Sequence, residues 1–125
     1  MKDFTIEIDS RNGELARVAA ALARARVTLR AGAVVSTGPR FVARFIASDL
    51  EAARNALESS DVPFEENDIV TVRLEPRPGE LVQLISRLTL GGVDLRALYL
   101  TSASERSLEI ALAPTNVARA IHALR

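Results

Sequence analysis

The sequence predicts an α+β protein made of two consecutive units, each an antiparallel sheet with its helices on one face. Three observations carry the prediction. The apolar periodicity switches repeatedly between two residues and about 3.6 along the chain. The order strand, helix, strand, strand, helix is met in each half. Finally, residues spaced 66 apart match across the halves, as an internal duplication requires.

In the first unit Phe4, Ile6 and Ile8 alternate with Thr5, Glu7 and Asp9, the pattern of a half-buried strand. Ser10-Arg11-Asn12-Gly13 breaks it, and from Glu14 the residues Leu15, Val18, Ala19 and Leu22 set out the face of an amphipathic helix. A second strand is expected from Val27 to about Ser36, a turn at Thr37-Gly38-Pro39, and a third strand from Arg40 to Ala47. Asp49 is placed to cap a helix with Leu50, Ala53 and Leu57 on its inner stripe. A closing fourth strand is expected within Val62 to Glu66, or from the segment after it.

The pattern then restarts. Val70, Val72 and Leu74 alternate, and Pro76-Arg77-Pro78-Gly79 forms the break. Leu81, Leu84, Ile85 and Leu88 make the helical stripe, which Gly91-Gly92 ends. Val93-Asp94-Leu95 opens a strand, Leu108, Ile110 and Leu112 mark another, and Pro114-Thr115-Asn116 introduces a last helix with Val117, Ile121 and Leu124 inward. The offset of 66 pairs Gly13 with Gly79, Glu14-Leu15 with Glu80-Leu81, Val18 with Leu84, Leu22 with Leu88, and Leu29 with Leu95. Boundaries are expected at residues 1–66 and 67–125. The second unit has no segment left for a fourth strand, so one continuous sheet shared by both units, or cover from a neighbour, is expected.

Composition narrows the function. The 125 residues carry 16 basic and 16 acidic side chains, interspersed, with no cysteine. That excludes disulfides and thiolate chemistry and argues against a polyanion partner such as nucleic acid. No apolar run approaches the ~20 residues of a membrane span. The N-terminus lacks a basic head followed by an apolar block, so no signal peptide, no membrane contact and a cytoplasmic location are expected. His122 is the single histidine, with no nitrogen or sulfur partner for a metal. Glu65, Glu66 and Asp68 read as a solvated acidic loop. Neither a nucleophile–base constellation nor a phosphate-cradling loop is present, so no catalysis, cofactor or metal is expected.

The run Val72-Arg73-Leu74-Glu75-Pro76-Arg77-Pro78-Gly79-Glu80-Leu81, followed by Leu90-Gly91-Gly92-Val93-Asp94-Leu95, resembles the ACT family of regulatory domains. Asn12-Gly13-Glu14-Leu15 and Arg26-Val27-Thr28-Leu29 repeat that pattern more loosely. The resemblance covers nearly the whole chain and implies tandem ferredoxin-like βαββαβ modules, the second lacking its last strand.

It further implies a small ligand, an amino acid, held between paired modules at the turn after the first strand and the start of the second. A glycine there lets backbone N–H groups approach a carboxylate, and the helix N-terminus favours negative charge. Carried onto this chain, the positions are Ser10, Arg11, Asn12 and Gly13 in one turn, Arg77, Pro78 and Gly79 in the other, and Thr28 and Asp94 at the strand starts. Arg11 and Arg77 are placed to clamp a carboxylate, and Asp94 to meet an ammonium. Pro76 departs from the family, because it stands where some members carry a side-chain amide and has no N–H to offer.

The expected function is therefore that of a non-catalytic regulatory protein, a homodimer coupling ligand occupancy to its own assembly or to a regulated enzyme. The alternative is a structural protein–protein interaction module with a degenerate pocket. RNA binding shares the element order, but it needs aromatics on the first and third strands of each unit, and the second unit has none there.

Overall fold

The computed structural model describes residues 1–10 and 13–125; Arg11 and Asn12, both expected in the ligand turn, lie outside the described residues. The chain divides into Lys2–Asn67 on one hand and Met1 with Asp68–Arg125 on the other.

The first unit runs β1 (Lys2–Asp9), α1 (Glu14–Arg24), β2 (Leu29–Ser36), β3 (Arg40–Ala47), α2 (Leu50–Ser59) and β4 (Glu65–Asp68). Its sheet has the order β2-β3-β1-β4. β1 and β3 are antiparallel, with Phe4 opposite Phe45 and Asp9 opposite Arg40. The alternation of β1 sends Phe4, Ile6 and Ile8 to one face, where Val18 and Leu22 of α1 and Ala53 and Leu57 of α2 close over them. Both helices cover this face because each carries one apolar stripe that must leave water. Asp49 caps α2, its carboxylate accepting from Ala52 N–H at 3.0 Å.

The closing strand β4 forms at the late end of the expected stretch. Val62 is buried in the core and Phe64 packs edge-on to Phe4, centroids 5.6 Å apart, so the apolar residues after α2 serve the core and the ladder begins later. Pro63 has no N–H for a ladder. The strand that does form, Glu65–Asp68, is wholly polar and shows no alternation. Side chains anchor it: Asn67 donates to Thr5 Oγ1 at 3.2 Å, and Arg54 grips Glu66 through two bonds of 2.7 and 2.8 Å.

The second unit runs β5 (Val70–Leu74), α3 (Glu80–Leu90), β6 (Leu95–Ala103), β7 (Leu108–Pro114) and α4 (Val117–Ala123), in a sheet ordered β5-β7-β6. The tandem ferredoxin-like architecture, with the fourth strand absent from the second sheet, is thus present. The hydrogen bonds define two separate sheets, of four and three strands, in place of the single continuous sheet expected. Leu84, Leu88, Ile110 and Leu112 form the second core.

Two helical stripes are narrower than their periodicity suggests. Leu81 and Ile85 are each 44% exposed and Ile121 is 42% exposed. A three-stranded sheet offers less surface, so α3 buries only its Leu84–Leu88 line and α4 buries Ala120. The strand starts also shift. Val27 N–H bonds the Leu22 carbonyl at 3.0 Å and Val93 N–H the Leu88 carbonyl at 2.9 Å. Both residues still complete the preceding helix end, and the strands begin at Leu29 and Leu95. Pro114, expected to open the last helix, instead closes β7 opposite Leu95; Asn116 caps α4, accepting from Arg119 N–H at 3.0 Å. Among the described residues no helix is long and apolar enough to cross a membrane.

Candidate ligand site

The helices differ at their N-termini. Asp49 and Asn116 cap α2 and α4 through their side chains, whereas α1 and α3 begin at Gly13 and Gly79 with no side-chain cap bond. Both glycines are left-handed, φ +67° and +90°, and each faces open space where a Cβ would stand. That backbone conformation, not crowding, calls for glycine. Among the described residues no side chain caps the first turn of α1 or α3, although Glu80 N–H reaches the Arg77 carbonyl at 3.3 Å; the remaining first-turn N–H groups make a suitable seat for an anion.

The charges around the second turn are already matched. Arg77 contacts Glu75 at 2.9 Å and Glu80 at 2.8 Å. The bond it donates to Glu80 and the fields of Glu75 and Glu80 raise the pKa of its guanidinium above the ordinary value. An incoming carboxylate competes with two resident ones for this side chain. Beside the turn, between β5 and α3, lies a polar hollow of about 290 Å³ lined by Arg73, Glu75, Glu80, Gln83 and Arg87. In the first turn the Ser10 hydroxyl donates to the Pro39 carbonyl at 2.9 Å and its N–H to the same oxygen at 3.0 Å. Ser10 thus ties the β1 end to the β2–β3 turn.

Thr28 and Asp94 are exposed and stand just before β2 and β6. Thr28 N–H donates to Ser48 Oγ at 3.2 Å and Ser48 N–H returns to the Thr28 carbonyl at 2.8 Å. Thr115 N–H donates to the Asp94 carbonyl at 2.9 Å. These backbone links close one end of each sheet, while the glycine turns sit at the other. In the first unit, Asp9 lies opposite Arg40 and Ser36 opposite Phe41, whereas Leu29 lies opposite Ala47. The length of a strand, roughly 25 Å at ~3.3 Å per residue, separates Ser10 from Thr28. No single unit brings its turn and its strand start together, and the same register holds Gly79 apart from Asp94.

A larger cavity was not expected. It measures about 490 Å³, lies between α1 and β2 in the first unit, and has apolar walls that include Ile6, Val18, Leu22 and Phe45. The signal for it is in the repeat: at an offset of 66, Gly32 corresponds to Leu98 and Ala19 to Ile85. Among the described residues no group of three or more acidic or histidine side chains is placed to hold a metal ion.

Two sheets with the strand orders above, each under its own pair of helices, define tandem ACT-like modules of ferredoxin-like fold. No family model matches the sequence, and no curated protein matches it. Solved structures do share the fold. A protein of Bacteroides thetaiotaomicron is 24% identical, with a TM-score of 0.87 over 98% of this chain and 85% of that one. The regulatory subunit of aspartate kinase from Thermus thermophilus, in its ligand-free form, is 18% identical, with a TM-score of 0.66 over 98% and 89%. The corresponding subunit from Thermus flavus is 17% identical, with a TM-score of 0.63 over 98% and 88%. At these identities the likeness establishes the fold.

Proposed function

We propose that residues 1–66 and 67–125 are two ACT-like modules of a cytoplasmic, non-catalytic regulatory protein, which binds an amino acid and couples its occupancy to assembly. The observation that carries this reading is the contrast at the helix starts: the two helices preceded by glycine turns lack side-chain caps, and the other two have them. Ser10 to Gly13 and Arg77 to Gly79 would face the ligand carboxylate. Thr28 and Asp94 would meet its amino end. Because each unit holds these groups at opposite ends of its sheet, a ligand touching both sets takes them from two modules. A homodimer supplies the second module, and a regulated enzyme is the other candidate partner. Fold-sharing with regulatory subunits of aspartate kinase supports the regulatory class.

One observation favours the alternative, a structural interaction module: Arg77 is already engaged by two carboxylates. Thermal unfolding of the full chain against a panel of amino acids separates the readings. A ligand at 100 times its Kd adds about 2.7 kcal/mol, a rise of several degrees. The expected result is a selective rise that Asp94→Ala or Thr28→Ala removes. A flat response across the panel would leave the interaction module standing.

A further inference from the structure

We infer that the cavity between α1 and β2 is a second binding site, which takes the branched tail of an aliphatic carboxylic acid lacking an ammonium group. It goes beyond the amino-acid site proposed above, sharing none of the turn or strand-start residues.

The repeat explains why the cavity exists. In the second unit Leu98 lies opposite Leu112 on the β6–β7 ladder and packs against the core. Its counterpart in the first unit is Gly32, opposite Phe45. No side chain fills that place, and the strand geometry keeps it so: a Cβ on Gly32 would stand 2.6 Å from the Arg44 carbonyl oxygen and 2.8 Å from Phe45 Cβ. On the helix above, Ala19 stands where the second unit has Ile85. One module is therefore hollow where its repeat packs the branched side chain of Leu98 against its core. Its volume, about 490 Å³, falls in the ~300–1,000 Å³ range of small-molecule sites. Apolar walls without partner atoms forfeit dispersion contacts that an aliphatic occupant restores.

The charges select the head group. Arg30 lines the cavity, Arg44 meets it with its carbonyl while its guanidinium stands on the other face of the sheet, and among the described residues no carboxylate lines it. Arg44 is held by Asp3 through a bond of 2.6 Å, whereas Arg30 is exposed on the edge strand β2. Arg30 is thus the group placed to meet an acid head at the mouth. An α-ammonium would enter without a counter-charge. That favours a branched fatty acid or a branched 2-oxo acid over the amino acid of the same skeleton.

The test is calorimetric titration of the full chain with 4-methylpentanoate and 4-methyl-2-oxopentanoate, with leucine and the neutral 4-methylpentanol as comparators. At least one acid should bind, and the tighter of the two identifies the source. Leucine and the alcohol should each bind at least about tenfold more weakly, the loss expected for one charge-assisted contact. Ala19→Ile, which grows the second unit's side chain into the hollow, should abolish binding of the acid. Arg30→Gln, on an exposed edge position, should weaken it about tenfold, and Arg77→Ala should leave it unchanged. The inference is overturned by three outcomes: neither acid binds, leucine binds as tightly as the acids and loses that binding in Ala19→Ile, or the acids keep their affinity in Ala19→Ile. A change of sedimentation in Ala19→Ile would also overturn it, by showing that a second copy covers the hollow. Acid binding without any amino-acid response would sink the turn site and leave this one standing.

Discussion

Asp3 is fully buried on β1, and Arg44 of the neighbouring strand holds it with bonds of 2.6 and 3.3 Å. Breaking such a buried pair by removing one partner costs about 3–5 kcal/mol. Arg44→Ala should lose that much in urea denaturation, and the double variant Asp3→Asn/Arg44→Met should recover most of it. A small loss in Arg44→Ala would mean that other groups around Asp3 hold its charge. Glu66 makes a second prediction at this scale. Its bond to Arg54, opposed by partial burial, holds its carboxyl below the ordinary carboxylate range. A lowered folded pKa contributes stability above the unfolded value, and the contribution fades as pH falls through the folded one. Glu66→Gln should therefore be less stable than the parent at neutral pH, with the gap closing in acid below the carboxylate range. A gap that stays constant with pH would separate the effect from ionisation.

At the level of elements, the four helices test the capping contrast. Asp49→Ala and Asn116→Ala remove carboxylate and amide caps, each with a bond of 3.0 Å to the first turn. Each should cost about 1 kcal/mol. Gly79→Ala adds a Cβ into open space but at φ +90°, so its cost of about 1–2 kcal/mol is conformational. Chemical denaturation measures all three, and a neutral Gly79→Ala would show that the turn relaxes to another backbone conformation. The β2–β3 and β6–β7 turns also differ. β2 and β3 are joined by 37–39 and β6 and β7 by 104–107, so the third strands match at an offset of 67. The ladder shows it, with Gly32 opposite Phe45 and Leu98 opposite Leu112.

For the molecule as a whole, each unit has its own core, and the second sheet leaves both β5 and β6 as edges. α3 also presents Leu81, Val82 and Ile85 to solvent, Val82 at 67% exposure. Apolar residues beside open edges mark an association surface. The proposed homodimer should appear in sedimentation equilibrium at micromolar concentration, and Val82→Glu should shift it toward monomer without unfolding. A parent chain that stays monomeric to millimolar concentration would sink the dimer.

The duplicated element order, the two glycine turns and most of both cores are legible in the sequence, because periodicity reports which face of a strand or helix leaves water. Leu84, Leu88, Phe4 and Ile6 follow that rule. Leu81, Ile85 and Ile121 do not, because the width of a stripe depends on how many strands lie beneath it. β4 is expected from the element order alone and not from periodicity, because its pairing is carried by backbone and polar anchors, which leave no apolar period. Of the candidate site, the residue types are readable but their separation is not. Only the ladder register shows that Ser10 and Thr28 stand at opposite ends of one sheet. The hollow beside Gly32 is likewise a property of the packed unit, since a missing side chain becomes a cavity only where the neighbouring strand and helix are held too firmly to close over it.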